Sequence, residues 1–360
     1  MNAEPIQILR GGKVAPLTKF DVRRNGEPGR FDGGVYRSNG EICALGTQLK
    51  AAHLNQPAMP PPEAEERIAG HHVYAGMLQN RHFGHFMSES LSRLWAFRHL
   101  DRSFNSVVYY CRDREDQVAG FVTETINLIA PEIAIRTVTV PTEFEVLAVP
   151  KQLATNGFIF GHPMIRLMLA DLRNRPGSGA EKIYVSRSRL SLGDGGLLLE
   201  DLIERNLAAQ GYEIVYPEKL SVEQQIEKYN AAKYLIFAEG SALHLYALVA
   251  KPTQKLFVIW RRKFDGTFVW QIKSFNGPPV EGGSCVKELW VPEGGEIMSG
   301  KAVLDFPELR SQLREFGFIK AGDWEDPDPK VLRNALDRLS ARLNRPFLRH
   351  PHIDVVEARP

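Results

Sequence analysis

The chain has 360 residues, of which 43% are hydrophobic and 24% are charged, and its formal net charge is +2. This length allows two domains of ordinary size, and the near-neutral charge argues against a nucleic-acid-binding protein with an entirely basic surface. No apolar run approaches the roughly 20 residues that a membrane-spanning helix requires, and residues 1–10 lack the apolar core of a signal peptide. We therefore expect a cytoplasmic protein, and the sequence leaves open a peripheral location at the inner membrane face.

The first half of the chain alternates short β-like runs with helical patterns. Glycine-separated runs at residues 29–49 predict a hairpin or meander. A strand at residues 72–76 leads into a helix predicted over residues 84–100. That helix has an apolar stripe at helical spacing, formed by Met87, Leu91, Leu94 and Trp95. Further elements are predicted as strands at 107–110, 133–140 and 144–149 and as helices at 115–130 and 163–173.

The second half alternates strands and helices without a break from residue 183 to residue 260. Strands are predicted at 183–186, 212–216, 234–238 and 255–259, and helices at 197–210, 221–232 and 242–250. Ser221 and Gln224 form a capping-box pattern at the start of the second of these helices. This alternation predicts a parallel, doubly wound α/β sheet that binds ligands at the carboxyl ends of its strands. Later elements are predicted as strands at 268–272 and 286–290 and as helices at 307–316 and 329–343.

The domain division is predicted from a linker-like composition at residues 174–179. We predict an N-terminal α/β domain over 1–175, a C-terminal Rossmann-like domain over 182–300 and a helical extension over 301–360. The cysteines Cys43, Cys111 and Cys285 are widely spaced and form no C-x-x-C pattern. They predict reduced thiols rather than a disulfide framework or a zinc ribbon.

A polar line follows the predicted helix that begins at Gly84. His85, Glu89 and Arg93 recur every four residues and so share one face, opposite the apolar stripe and pointing away from the core. A histidine and a carboxylate one turn apart can act as a general base and its orienting partner. Two alternatives remain open: an ordinary solvated helix face, and a zinc site formed by His82, His85 and Glu89.

Two strand ends in the second half are suited to an anion. Ser186 and Arg187 end the first strand, and an arginine there can bind a phosphate bidentately. Gly240 allows close backbone approach, and the helix after it offers free N–H groups and a positive dipole end. Glu239 would repel phosphate, so it predicts contact with a hydroxyl or a base donor of the ligand. The alternatives are an exposed arginine turn and a simple turn glycine.

Several common enzyme motifs are missing from the sequence. There is no G-x-G-x-x-G after a strand, no G-x-x-x-x-G-K-[ST] and no G-x-S-x-G. Dinucleotide oxidoreductases, P-loop enzymes and serine hydrolases are therefore not favoured.

Three segments carry more extended motifs. They are His82-Phe83-Gly84-His85-Phe86 with Glu89, Leu91 and Arg93; Tyr184-Val185-Ser186-Arg187; and residues 211–221, GYEIVYPEKLS, followed by Gln224 or Gln225. In this order they resemble glycosyltransferase family 61, which includes bacterial capsular-polysaccharide enzymes. The resemblance covers roughly residues 71–260. One segment departs from the family pattern. Many members of the family have P-H-G-A-G-L, whereas this chain has Ala238-Glu239-Gly240-Ser241-Ala242-Leu243, and its histidine is displaced to His244.

The resemblance implies a fold and a reaction. The fold is GT-B, an α/β architecture of two Rossmann-like domains facing across a cleft, with the nucleotide-sugar donor in the second domain and the acceptor in the first. The reaction is an inverting transfer, in which an acceptor hydroxyl displaces the nucleoside diphosphate. His85 and Glu89 are the implied catalytic residues, and which of them is the base stays open. The implied substrate-binding residues are Arg93, Ser186, Arg187, Arg189, Glu218, Glu239, Gly240, Ser241, Ala242 and His244.

The expected function is that of a hexosyl- or pentosyltransferase acting on a glycan or polysaccharide, including a lipid-linked acceptor. No metal or other cofactor is expected, because an arginine and a helix end can neutralise a diphosphate. Nucleic acid is not an expected partner, and the sequence leaves open whether the chain forms a homodimer. The alternatives are a catalytically inactive nucleotide-sugar- or glycan-binding protein, and a nucleotide-sugar-processing hydrolase or epimerase.

Overall fold

The computed structural model describes residues 5–21, 27–50, 53–100, 103–111, 117–155, 161–262 and 266–351. The chain divides into two compact units, Met1–Leu172 and Arg173–Pro360. Both contain parallel β-sheet together with helices, so the predicted α/β class is confirmed. Within the described ranges, no helix has the length and apolar character to cross a membrane. All three cysteines are buried and free, as predicted.

The first unit is built on a mixed sheet. Its strands are β1 (Ile6–Ala15), β2 (Phe20–Asp21), β3 (Gly29–Phe31), β4 (Gly34–Tyr36), β5 (His53–Asn55), β6 (Glu66–Leu78), β7 (Ser106–Cys111), β8 (Ala134–Val138) and β9 (Thr142–Pro150). Six of them form a sheet in the order β4-β1-β9-β6-β7-β8, and β2, β3 and β5 form a small second sheet. β1 pairs antiparallel with β4 and β9, whereas β9, β6, β7 and β8 run parallel. Every residue of β7 is buried, as expected for a parallel strand covered on both faces.

The helix predicted over 84–100 is interrupted. The segment consists of α1 (Phe83–His85), a π-helix (Phe86–Ser90) and a 3-10 helix (Leu94–Arg98). The prediction that its polar line points away from the core is also wrong, because Glu89 and Arg93 are 1% and 0% exposed. Glu89 and Arg93 are buried as well as the apolar stripe, so buried polar contacts also decide the path of the backbone. Short π-helical turns of this kind occur frequently at functional sites.

The other helices of this part of the chain are short. They are a 3-10 turn (Ala44–Gly46), α2 (Gly120–Ile129), α3 (Pro163–Met168) and α4 (Ala170–Asn174), the last of which spans the division between the units.

The second unit contains the predicted parallel sheet. Its strands are β10 (Lys182–Val185), β11 (Gly196–Leu197), β12 (Glu213–Val215), β13 (Tyr234–Ala238), β14 (Lys255–Ile259), β15 (Val280–Glu281), β16 (Val286–Pro292), β17 (Lys301–Leu304) and β18 (Phe347–Arg349). The order β12-β10-β13-β14-β15 is parallel throughout. The carboxyl ends of β10, β13 and β14 therefore lie side by side. A further sheet has the order β11-β17-β16-β18.

The helices of the second unit mostly follow the predictions. They are α5 (Glu200–Ala209), α6 (Val222–Ala231), α7 (Ala242–Val249), α8 (Gly266–Ser274), α9 (Phe306–Glu315) and α10 (Pro329–Leu343), with 3-10 turns at Pro217–Lys219 and Ile297–Ser299. The capping box of Ser221 and Gln224 is confirmed, with both hydrogen bonds present. The strand predicted at 268–272 is wrong, because these residues lie in α8, where Phe268 and Ile272 are buried one turn apart. Residues 301–360, predicted to be helical, also contribute β17 and β18 to a sheet.

Candidate active site

The two predicted catalytic residues of the first unit belong to one hydrogen-bonded network. His85 Nδ1 lies 2.8 Å from Glu89 Oε1. Glu89 Oε2 accepts hydrogen bonds from Lys50 Nζ at 2.8 Å and from Gln79 Nε2 at 3.1 Å. Both oxygens of the buried carboxylate therefore have partners. Lys50 and Gln79 were not predicted as site residues, because no motif spacing connects them to the helical segment.

His85 and Glu89 differ in their exposure to solvent. The side chain of His85 is 41% exposed, whereas that of Glu89 is 1% exposed. Burial by itself would raise the pKa of Glu89, but the hydrogen bonds and charges of His85 and Lys50 outweigh it and hold that pKa below its ordinary value. An ionised Glu89 accepts a hydrogen bond from Nδ1–H of His85, which leaves the lone pair of the neutral ring on Nε2. This is the arrangement of a base with its orienting partner.

Two side chains hold the backbone around this network. Ser90 Oγ accepts a hydrogen bond from the Gln79 N–H at 3.0 Å and donates to the Met77 carbonyl at 2.9 Å, so it ties the π-helix to the end of β6. Leu49 precedes Lys50 and is held by Gln152. The Gln152 side chain accepts a hydrogen bond from the Leu49 N–H at 2.7 Å and donates one to the Leu49 carbonyl at 2.9 Å. The network is thus supported by a strand end on one side and a fixed loop on the other.

Arg93, the third residue of the polar line, is a structural cross-link. Its guanidinium is fully buried and donates to the carbonyls of Leu45 at 2.7 Å, Thr47 at 2.8 Å and Pro150. Burial lowers the pKa of Arg93. The predicted substrate contact of Arg93 does not agree with this burial. The zinc alternative is not supported either, because the described residues contain no group of three or more His, Cys, Asp or Glu side chains that could hold a metal ion.

In the second unit, three neighbouring parallel strands end in charged residues. Arg187 lies two residues beyond β10, Glu239 directly follows β13, and Arg261 lies two residues beyond β14. The Glu239 N–H donates to the carbonyl of Ile259 at 3.0 Å, which joins two of these ends. A Cβ atom on Gly240 would lie 2.3 Å from Nη1 of Arg187. The absence of a side chain at Gly240 therefore allows the close approach of Arg187.

Glu239 holds two arginines. It is 0% exposed, its Oε2 accepts a hydrogen bond from the Arg261 N–H at 3.0 Å, and its Oε1 accepts from Arg262 Nε at 3.0 Å and from Arg262 Nη2. Arg261 Nε donates to the Glu239 carbonyl at 2.8 Å. In this structure both oxygens of the Glu239 carboxylate are bonded to arginines, and its predicted contact with ligand hydroxyls stays a prediction. Arg261 and Arg262 were missed, although their position just after a predicted parallel strand was a usable signal.

The arginines at these strand ends form a crowded basic cluster with a lysine from the start of β17. We call it the arginine cluster: Arg187, Arg261, Arg262 and Lys301. Burial lowers the pKa of Arg261 to about 10, and the nearby charge of Arg187 acts in the same direction. Burial likewise lowers the pKa of Lys301, with Arg187 and Arg261 contributing. Arg187 Nη2 donates to the Gly195 carbonyl at 3.1 Å, but its buried Nε has no hydrogen-bond partner among the described residues. The cluster is therefore suited to a polyvalent anion.

Comparison with known families gives one match. The sequence model of the family Glycosyltransferase 61 matches residues 83–256. This segment is therefore similar to glycosyltransferase family 61, the family that the sequence motifs resemble. The matched segment contains His85, Glu89, Arg187 and Glu239, whereas Arg262 lies beyond it. A search of curated proteins found no match.

Ser186, a predicted substrate-binding residue, is 1% exposed and supports the end of β10. Buried Glu200 accepts hydrogen bonds from Ser186 Oγ at 3.0 Å, from the Arg187 N–H at 2.7 Å and from Tyr184 Oη at 2.9 Å. Burial raises the pKa of Glu200. The observed contacts of Ser186 are thus those of a residue that positions Arg187.

Arg189 and Glu218 lie on the surface near Tyr216. The guanidinium of Arg189 is 4.0 Å above the ring of Tyr216, whose hydroxyl donates to Glu204 at 3.0 Å. Glu218 is exposed in the 3-10 turn Pro217–Lys219. Their predicted contacts with substrate stay predictions.

Ser241, Ala242 and His244 form the first turn of α7 after the Gly240 turn. Ser241 is the N-cap residue, and its side chain makes no capping hydrogen bond. His244 Nδ1 lies 2.7 Å from Gln271 Oε1, and its ring packs against Phe268. Ser241 and Ala242 directly follow the glycine against which Arg187 packs, so they remain candidates for an anion contact.

Replacing Glu239 with glutamine is expected to lower the free energy of unfolding by about 3 kcal/mol, because Arg261 and Arg262 would lose their buried counter-charge. Chemical denaturation followed by circular dichroism measures this. As a control, Glu181→Gln removes the exposed ion pair with Lys233 and is expected to cost less than about 1 kcal/mol. Equal stability of the Glu239 variant and the wild type would contradict the anchoring role.

Proposed function

We propose that this protein is a glycosyltransferase that transfers a hexosyl or pentosyl group, with inversion, from a nucleotide-sugar to a hydroxyl of a glycan or polysaccharide acceptor. The observation that carries the proposal is the arginine cluster at the carboxyl ends of three parallel strands. A nucleoside diphosphate is the polyvalent anion that a nucleotide-sugar supplies. A GT-B architecture, with the donor bound by the second unit and the base supplied by the first, is part of the proposal.

His85 is the proposed base. Its Nε2 accepts the proton of the acceptor hydroxyl as the oxygen attacks the anomeric carbon of the donor sugar. Glu89 keeps the other ring nitrogen protonated and stabilises the imidazolium that forms. His85 rather than Glu89 is assigned as the base because the two side chains differ in exposure. The Glu89 carboxylate is buried and accepts from three donors, whereas the His85 imidazole reaches solvent.

Arg187 is the proposed partner of the leaving group. When the bond between the anomeric carbon and the diphosphate oxygen breaks, that oxygen takes the electron pair and the negative charge. The half-buried guanidinium of Arg187 is already placed by Gly195 and Gly240, so little reorganisation is needed during the reaction. Arg261 and Arg262 add positive charge that the Glu239 carboxylate positions. With this charge present, we propose that transfer requires no metal ion.

The binding-protein alternative depended on the departure of Glu239 from the family pattern. The hydrogen bonds of the Glu239 carboxylate to Arg261 and Arg262 support the proposal that Glu239 orients the arginine cluster for the donor. On this proposal, the departure from the family pattern is not an argument for lost turnover.

A donor screen tests the proposed function. The full chain is incubated with a panel of nucleotide-sugars and candidate acceptor glycans, with and without a metal chelator, and released nucleoside diphosphate is measured. We expect acceptor-dependent release that the chelator leaves unchanged. Binding heat without release would favour the inactive binding protein, and release without an acceptor would favour the hydrolase or epimerase.

A further inference from the structure

The last helix of the chain, α10, is amphipathic but buries none of its side chains. Leu332 and Leu336 border a cavity of about 610 Å³ that Trp290 and Phe347 also line. Val331 is 48% exposed on the same helix. Such a helix normally buries its apolar stripe against the core, whereas the described residues of the second unit leave part of the apolar surface of α10 uncovered.

One apolar line of the helix shares a face with arginines. Val331, Ala335 and Leu339 recur every four residues along α10; Val331 is exposed, and Ala335 and Leu339 are half-buried. Arg338 and Arg342 lie seven and eleven positions after Val331, so helical geometry places them beside the same line. Both arginines are exposed. An apolar line bordered by arginines is the pattern of helices that lie in a membrane interface.

The charge of residues 329–351 is mostly positive, and Arg349 of this stretch forms an ion pair with Glu288 of β16. The acidic residues of the preceding segment end at Asp328, and from residue 329 to residue 351 the only acidic residue is Asp337. Basic side chains dominate the same stretch, and all of them are exposed: Lys330, Arg333, Arg338, Arg342, Arg345 and Arg349. Their charge complements an anionic surface.

The helix is already formed and fixed at both ends. Asp328 caps its start by accepting a hydrogen bond from the Lys330 N–H at 2.7 Å, and Asn344 ends it with a φ of 50°. Ser340 Oγ then accepts from the Phe347 N–H at 3.2 Å, which leads the chain into β18 and its pairing with β16. The surface therefore needs no folding step to meet a partner.

We propose that α10 and the segment from it to β18 dock on a membrane surface that contains anionic phospholipids. The arginines meet the lipid headgroups, and Val331 and Leu339 enter the boundary between headgroups and acyl chains. Docking of this kind would bring the enzyme to a membrane-borne acceptor. The proposal is independent of the sugar-transfer chemistry, because none of its residues belongs to the candidate active site.

Vesicle sedimentation tests the proposal with the full chain. Vesicles of phosphatidylcholine alone are compared with an equal mixture of phosphatidylcholine and phosphatidylglycerol, at low and high salt. We expect binding to the anionic vesicles only, weakened by salt.

The double variant Arg338→Glu/Arg342→Glu tests the arginines. Each lost basic charge is expected to weaken vesicle binding roughly fivefold, so the double variant should bind at least about 25-fold more weakly. Val331→Ser/Leu339→Ser is expected to reduce binding without changing its salt dependence.

The matched control is Arg67→Glu/Arg205→Glu, which changes the net charge equally at exposed arginines of β6 and α5 and is expected to bind anionic vesicles like the wild type. Circular dichroism melting checks that each variant is folded. Equal binding to neutral vesicles, or loss of binding in the control alone, would overturn the proposal. A third result would also overturn it: no binding to vesicles, together with concentration-dependent self-association that Val331→Ser/Leu339→Ser abolishes. The surface would then be an interface between two copies of the chain.

Discussion

His85→Ala is expected to lower kcat by about 10²–10⁴-fold, the usual contribution of a positioned general base. Donor affinity should be unchanged, because the side chain belongs to the Lys50–Glu89 network and not to the arginine cluster. Steady-state kinetics with saturating donor, together with calorimetric binding of the nucleoside diphosphate, measure the two effects separately. Wild-type turnover in this variant would place the base elsewhere.

The matched control for His85→Ala is His99→Ala, which removes an exposed histidine on the same segment.

Glu89→Gln should give a smaller loss of kcat than His85→Ala, since the amide still contacts the imidazole but no longer stabilises its positive charge. It should also change the response to acid. The folded-state pKa of Glu89 is depressed, so its stabilising contribution is present above the ordinary pKa and is lost only as the pH falls through the depressed value. A melting temperature that stays equal for wild type and Glu89→Gln from neutral to acid pH would contradict this.

Arg187→Ala is expected to lower kcat/KM by about 10²–10³-fold, comparable to the loss of one preorganised donor at a developing negative charge. It should also weaken the binding of free nucleoside diphosphate, because the guanidinium is placed for the anion before the sugar is transferred. Arg187→Lys should recover part of the charge but not the two-pronged contact. Isothermal titration calorimetry without acceptor isolates the binding effect.

Arg205→Ala is the control for Arg187→Ala, since it removes an exposed arginine of the second unit that pairs with Asp201. It should keep wild-type affinity and turnover. If Arg187→Ala bound the nucleoside diphosphate and turned over as well as the wild type, Arg187 would not belong to the donor site. Loss of kcat with unchanged diphosphate affinity would instead restrict the contribution of Arg187 to the transition state.

The secondary structure of the second unit was largely predictable from local patterns. Alternating apolar strands and amphipathic helices predicted β10, β12, β13 and β14 and the parallel sheet they form. The turn at Gly240 and the arginine after β10 were recognisable because parallel strands place their carboxyl ends on one edge. The helix at 84–100 was less predictable, because its apolar spacing contained no information on which polar side chains are buried with it.

The sequence by itself determined the α/β class, the parallel sheet, the His85–Glu89 pair and the position of Arg187, since each depends on residues close together in the chain. Only the tertiary structure decided the roles of Glu239, Arg93 and Lys50. Glu239 proved to be the buried counter-charge of two arginines, and Arg93 a cross-link between backbone carbonyls. The physical reason is that a buried charge is defined by the partners that neutralise it. For Glu89, the lysine that does so lies 39 residues away in the chain, beyond the reach of any local pattern.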